Sequence, residues 1–244
     1  MRVDARLDQH EAWLGARLEQ ILDKQTAFDR RSRRDISVAA DRDAALSSAQ
    51  FAIENFPTAT TFLDPMDTLG FALDAAPEKG MALEFGVYSG STLRLIASRR
   101  SGGEVYGFDS FKGLPESWRT MFEAGKFAVD TLPKVPGAEL VVGWFDETLS
   151  PFLAKHSGPI ALLHIDCDLY SSTVTVLEHC GPRLVAGSIV VFDEYFNFPG
   201  WDGRHEHRAW QEYVARTGTR FTYLAYTAND EQVVLRIDEP GRKS

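Results

Sequence analysis

Cysteine is scarce in this chain of 244 residues: Cys167 and Cys180 are the only two. Two thiols cannot staple a disulfide framework, and they read as buried apolar side chains in a reducing compartment. Long hydrophobic runs are missing as well. The longest are strand-length, such as Ser188–Phe192, against the ~18 residues that a membrane helix needs. The N-terminus, MRVDARLDQHEAWLG, carries charges throughout and lacks the apolar segment of a signal peptide. A cytoplasmic protein without a membrane partner is expected. Positive charge is in deficit, 26 Lys and Arg against 35 Asp and Glu, for a net charge of −9. That excess of acid argues against nucleic acid as a partner. Internal repeats and low-complexity tracts are absent. What remains, 44% hydrophobic and 25% charged residues, is the composition of a folded globular chain, and the length suits one large α/β domain.

The first 75 residues read as helical. Leu7, Trp13, Leu14, Leu18, Ile21 and Leu22 recur at mostly three-, four- and seven-residue spacings between charged residues, an amphipathic helix over 4–29. The run Arg30-Arg31-Ser32-Arg33-Arg34 reads as a solvated hinge, with a patch for an anionic substrate as the alternative. Further helical stretches follow around 40–54 and 65–75, with a turn at Phe56-Pro57 between them. From residue 81 the texture changes. Strand-like runs at 81–85, 104–108, 140–143, 160–165 and 188–192 alternate with helical runs at 91–99, 147–156, 171–180 and 205–216. Such alternation predicts a parallel sheet with helices on both faces. The runs 221–226 and 232–237 are too closely joined for a parallel crossover, so the last strand is expected to run antiparallel. Residues 1–75 are therefore expected to form an extension that builds a dimer interface or a lid, and 76–244 the α/β domain.

The first strand is followed by Leu83-Glu84-Phe85-Gly86-Val87-Tyr88-Ser89-Gly90-Ser91-Thr92. Gly86 lets the chain turn off the strand, Gly90 permits close approach, and Ser91 and Thr92 offer donors at a helix start. Tyr88 stands where a dinucleotide site keeps its middle glycine, and Glu84 brings negative charge. Both favour a cationic adenosyl ligand without phosphates, S-adenosylmethionine, over NAD. Asp109 ends the second strand, 25 residues after Glu84, where a carboxylate binds ribose hydroxyls in such folds. Ser110 and Phe111 begin a loop placed to cover the cofactor. Gly143, Trp144 and Phe145 end the third strand, placed beside the adenine, with Trp144 equally readable as core.

Two further strands end in acids: His164-Ile165-Asp166-Cys167-Asp168 and Val191-Phe192-Asp193-Glu194. Neighbouring strands lie ~4.8 Å apart, so Asp166 and Asp193 are expected to converge beyond the sheet, where α/β folds bind ligands. Crowded carboxylates call for protonation or a cation, and oxygen ligands favour Mg²⁺. The alternative is that one acid caps a helix and the others are solvated.

Together EFGVYSGST, GFDSFKGLP, HIDCDLYSST and VVFDEYF resemble the macrocin O-methyltransferase family of class I S-adenosylmethionine-dependent enzymes, over residues 80–237. The resemblance implies a Rossmann-like seven-stranded, mostly parallel sheet with an antiparallel last strand and an oligomeric, often dimeric, enzyme. It also implies a Mg²⁺ that binds the acceptor hydroxyls through Asp166, Asp193 and Glu194. Many members have Asp-Asp where this chain has Asp193-Glu194. The acceptor is expected to be a saccharide or glycosylated metabolite, and Tyr195–Trp201 reads as its aromatic wall, with loop or core packing as the alternative. A base must take the hydroxyl proton; Asp168, Asp166, His205 and His207 are the candidates. An NAD(P)-dependent oxidoreductase, disfavoured also by the lack of any Tyr-x-x-x-Lys sequence, and a non-catalytic adenosyl-binding protein are the alternatives.

Overall fold

The computed structural model describes residues 2–242, and the side chains of residues 9–242; the side chain of Leu7 lies outside these. Two helices lead the chain, α1 (Arg2–Arg34) and α2 (Ile36–Asn55). Asp35 caps α2 by accepting the Ser37 N–H, and this break separates the two helices. Then follow β1 (Thr60–Phe62), α3 (Pro65–Ala75), β2 (Met81–Phe85), α4 (Ser91–Arg99), β3 (Val105–Asp109), β4 (Glu139–Val142), α5 (Phe145–Lys155) and β5 (Ile160–Ile165). The chain closes with α6 (Tyr170–Cys180), β6 (Leu184–Phe192), α7 (His205–Thr217), β7 (Arg220–Thr227) and β8 (Val233–Glu239).

The strands form one sheet in the order β1-β7-β8-β6-β5-β2-β3-β4. β8 runs antiparallel to both of its neighbours, and every other pairing is parallel. This is the expected Rossmann-like arrangement, with eight strands in place of the expected seven. The extra strand is β1. Its three residues pair with Ala225, Tyr226 and Thr227 at the edge of the sheet, and a run of three residues, two exposed and one half-buried, carries too little alternation to be seen in sequence. β1 and α3, read from sequence as part of the extension, lie against the sheet, α3 burying Leu69 and Leu73.

Side-chain alternation sorts the core into two layers. Met81, Leu83, Phe85, Leu163, Ile165, Val190 and Phe192 pack on the side of α5, α6 and α7. Ala82, Leu162, Ile189 and Val191 pack on the opposite side with Leu69 of α3 and Leu93 and Ile96 of α4. β2 and β5 are buried along their whole length, as central parallel strands covered on both faces must be. The chain runs outward from β2 to β3 and β4, then returns to β5 and β6 on the other side. The carboxyl ends of β2 and β5 therefore flank the switch point where ligands bind in such sheets.

Helix α1 is different in kind. Among the described residues its main packing partner is α2, and Trp13, Leu14, Leu18, Ile21, Leu22 and Phe28 remain 43–73% exposed.

Candidate active site

Strand register builds the site. Phe85 is level with Phe108 on one side and Ile165 on the other, and Ile165 is level with Phe192. The next residues, Gly86, Asp109, Asp166 and Asp193, therefore end four adjacent strands in one row. Backbone bonds extend the row: Gly86 N–H to Phe108 O (3.0 Å), Asp166 N–H to Phe85 O (2.9 Å) and Asp193 N–H to Ile165 O (2.9 Å). Gly86 adopts φ +95°, and a Cβ there would lie 1.6 Å from the Asp166 carbonyl oxygen. Only glycine lets these two strand ends approach so closely.

Asp109 holds the turn above this row. Its Oδ2 accepts the Val87 and Tyr88 N–H groups at 2.9 and 2.8 Å, and its Oδ1 accepts the Phe111 N–H at 2.7 Å. A carboxylate has about four lone-pair sites, so one remains for a ligand hydroxyl. Tyr88, held at φ +47° and half-exposed, meets Phe127 edge-on at 5.6 Å. A bulky side chain thus stands where a pyrophosphate would need bare backbone.

A cavity of about 650 Å³ opens over the row. Of the residues expected to hold the cofactor, Gly86, Tyr88, Asp109, Ser110, Trp144, Phe145 and Asp166 line it. Gly90, Ser91, Thr92, Phe111 and Gly143 lie outside its wall. Gly90 starts α4 in the left-handed conformation, and Phe111 is packed in the core. Glu84 is displaced furthest from the expected role. It alternates onto the α4 side of the sheet, has no exposure, and its Oε1 lies 3.0 Å from His164 Nδ1. β2 and β5 pair Glu84 directly with His164, and the other nitrogen of His164 lies 4.0 Å from Asp193. Burial opposes charge on both groups. Against it, the Glu84 bond and charge, with Asp193, hold His164 above its usual value, while burial holds Glu84 up. His164, absent from the sequence-based candidates, thus ties a hidden carboxylate to the site.

Asp166 and Asp168 both reach the cavity, as does Glu194. His164, Asp166 and Asp193 each offer a ligand atom, all within 4.8 Å of one another. Glu194 is not in that group. Its side chain turns toward Asp168, and one of its oxygens is buried without a partner. Burial, then mutual repulsion, raises Asp166 and Glu194 well above the usual carboxylate range. Burial and Asp193 raise Asp168 to about 7, against the opposing charge of Arg119. Buried acids at such spacing, with an unpartnered oxygen beside them, fit a hard divalent cation.

The candidate histidines of α7 do not line the cavity. His205 packs against Trp118 and Phe198, and burial lowers it to about 4. His207 donates Nδ1–H to the Asp202 carbonyl at 3.2 Å. It sits among Phe51, Tyr195 and Trp201, and burial lowers it to about 4. Of the segment Tyr195–Trp201, Tyr195, Phe196, Phe198 and Trp201 are buried packing residues. The aromatic wall comes instead from the loop after β3: Trp118, Phe122 and Phe127, with Leu114 and Pro115. Arg119 anchors this loop. Its guanidinium lies between the rings of Trp118 and Phe198, at 4.0 and 3.9 Å, and pairs bidentately with Glu231 at 2.8 and 2.5 Å. Among the described residues lining the cavity, Arg119 is the one cation.

A family profile described as a methyltransferase domain matches residues 83–195. The curated 8-demethyl-8-(2,3-dimethoxy-alpha-L-rhamnosyl)-tetracenomycin-C 4'-O-methyltransferase of Streptomyces olivaceus is 29% identical over 175 residues. That match covers 60% of this chain and 66% of the relative, just under two thirds of the relative's length. Among solved structures, the calicheamicin methyltransferase CalS11 is similar at 28% identity with a TM-score of 0.55, covering 70% of this chain and 76% of that one. The O-methyltransferase NovP shares the fold at 22% identity and a TM-score of 0.52, with 70% and 78% covered.

Proposed function

We propose that this chain is an S-adenosylmethionine-dependent O-methyltransferase that methylates a hydroxyl of a saccharide or glycosylated natural product; the match to a methyltransferase domain and the likeness to O-methyltransferases support this. The observation that carries this reading is the level row Gly86, Asp109, Asp166 and Asp193, of which Gly86, Asp109 and Asp166 line one cavity while Asp193 stands beside Asp166. It sets a donor site and an acid-lined acceptor site side by side. The rhamnosyl group in the name of the Streptomyces relative supports a sugar acceptor.

The donor half is Gly86, Tyr88, Asp109, Ser110, Trp144 and Phe145, with Gly90, Ser91, Thr92, Phe111 and Gly143 shaping it from behind and Glu84 acting through His164. S-adenosylmethionine bound there supplies the methyl group. The acceptor half lies between Asp166, Asp168 and the rings of Trp118, Phe122 and Phe127. Asp166 and Asp193 would hold a Mg²⁺, with Glu194 the next carboxylate on the wall, and the ion would lower the pKa of a bound hydroxyl. Asp168, held near neutrality, accepts the hydroxyl proton, since a general base works best with a pKa close to the working pH. His205 and His207, lowered and away from the wall, are second in line. We further assign the exposed face of α1 to a second copy of the chain, a homodimer, and place the protein in the cytoplasm. Among the described residues, no helix is long and apolar enough to cross a membrane.

The direct test supplies labelled S-adenosylmethionine and a panel of glycosides with free hydroxyls. Label recovered as a sugar methyl ether supports the reading. Binding of NADH, with none of S-adenosylhomocysteine, refutes it.

A further inference from the structure

Helix α7 opens with His205-Glu206-His207, and the residue that reaches the site is the one between the histidines. Glu206 has no exposed surface. Its Oε2 accepts the backbone N–H of Glu194 at 3.0 Å, and the Cys167 amide also stabilises its ionised form. These two amides occupy equivalent places. The ladder between β5 and β6 ends with Asp193 N–H to Ile165 O, and that between β2 and β5 with Asp166 N–H to Phe85 O. The amides that follow, at Glu194 and at Cys167, have no backbone carbonyl partner. A buried amide left in that state costs about 1–3 kcal/mol. The Glu206 side chain from α7 answers the Glu194 amide beside Asp193 at the tip of β6, and it lies close to the Cys167 amide, between Asp166 and Asp168 at the tip of β5.

We propose that Glu206 is a positioning residue that clamps the tips of β5 and β6 together and so sets the spacing of Asp166, Asp168, Asp193 and Glu194. The proposal rests on the reading that these carboxylates handle the acceptor hydroxyl. Glu206 does so through its hydrogen bonds: it lies behind the cavity wall, and its Oε1 has no partner. An oxygen at that place is what the strand tips need, whereas a fifth negative charge beside four others only adds repulsion.

The test compares the wild-type protein with E206A and E206Q. Amide exchange is followed residue by residue by NMR, Mn²⁺ binding by electron paramagnetic resonance, and S-adenosylhomocysteine binding by calorimetry. In E206A, exchange at Glu194 should quicken at least about tenfold, the worth of one hydrogen bond to a charged group. Mn²⁺ affinity should fall by a similar factor, while S-adenosylhomocysteine binding, made on β2 to β4, stays within about twofold. In E206Q the amide oxygen still accepts the Glu194 N–H, so exchange and Mn²⁺ binding should both return to near the wild-type values. Unchanged exchange in E206A overturns the proposal. So does an E206Q protein as impaired as E206A, because the charge would then be what matters. Should E206A fail to fold, E206Q decides alone: Glu194 stays protected if the clamp is right and loses protection if it is wrong. A wild-type protein that binds no Mn²⁺ defeats the metal reading, and the exchange comparison still judges Glu206.

Discussion

The carboxyl edge of the sheet and helix α1 place costly groups in opposite wrong surroundings. At the sheet edge, Asp168, Glu194 and Glu206 are carboxylates buried close together, with the half-buried Asp166 among them. Along α1, six large apolar side chains from Trp13 to Phe28 stand in water. Burying a carboxylate among others opposes its ionisation. Leaving an aliphatic or aromatic side chain exposed forgoes about 1.5–3 kcal/mol each. Neither region is satisfied by the chain itself, and each shortfall names what would satisfy it: cation and hydroxyl for the first, apolar surface for the second. The two also differ in tolerance. The sheet edge is fixed by close contacts such as Gly86 against Asp166, whereas α1 touches little besides α2.

That contrast sets the expected sizes of perturbation. The largest belongs to Asp168→Asn, which keeps volume and removes the proposed base. Methyl transfer should fall by the ~10²–10⁴ typical of general-base loss, with S-adenosylhomocysteine affinity unchanged by calorimetry. Full turnover in this variant would move the base elsewhere and weaken the case for the sheet edge as the reactive region. Next is Asp109→Ala, which frees the Val87, Tyr88 and Phe111 amides as well as removing a ribose acceptor. S-adenosylhomocysteine binding should weaken by ~1–3 kcal/mol, and unchanged affinity in titration would show that the turn holds itself.

A smaller effect is expected from pH and cations. Asp168 has a folded value of about 7 against 3.8 for the free group, so the folded state binds the extra proton. Stability then falls as pH rises through 7. His205 and His207, lowered to about 4, work in the opposite sense, but only below the free-histidine value of about 6.5. Between pH 6.5 and 8.5 the chelated protein should therefore lose a few degrees of Tm, and millimolar Mg²⁺ at pH 8.5 should restore them. A flat Tm profile, insensitive to Mg²⁺, would show the acids to be solvated. The smallest effect on the domain itself belongs to α1. Removing residues 1–34, or replacing Leu18 and Ile21 by Glu, should leave Tm within about 1 °C, because the described apolar side chains of α1 are exposed and its main packing partner is α2. The same changes should turn a dimer into a monomer in analytical ultracentrifugation. A large loss of Tm would erase the distinction between the two regions.

The parts of the site legible in sequence were those in which chemistry and strand end coincide. An apolar run that stops at an acid tells which end of a strand the acid occupies, and so Asp109, Asp166, Asp168, Asp193 and the turn at Gly86 could be placed. Glu84 could not, because its direction depends on which face of β2 is covered by α4. His164 carried one available signal: it lies two residues before Asp166 and thus on the same side of β5. Glu206 looked like an ordinary acid in the first turn of a helix. Arg119 and Glu231 lie 112 residues apart, and nothing local to either predicts the other. An aromatic wall was expected in Tyr195–Trp201, whose rings pack inward; Trp118, Phe122 and Phe127 line the cavity instead.

The sequence by itself determined the alternation of strands and helices, the antiparallel last strand, and the acids that would stand at the sheet's carboxyl edge. Those follow from periodicity and from the chemistry of each segment taken alone. Only the tertiary structure decided which acids face the cavity and which are hidden, that Glu84 answers to His164, and that Glu206 closes the strand tips from another element. Such pairings depend on strand register and on which helix covers which face, and both are set by packing between segments far apart in the chain.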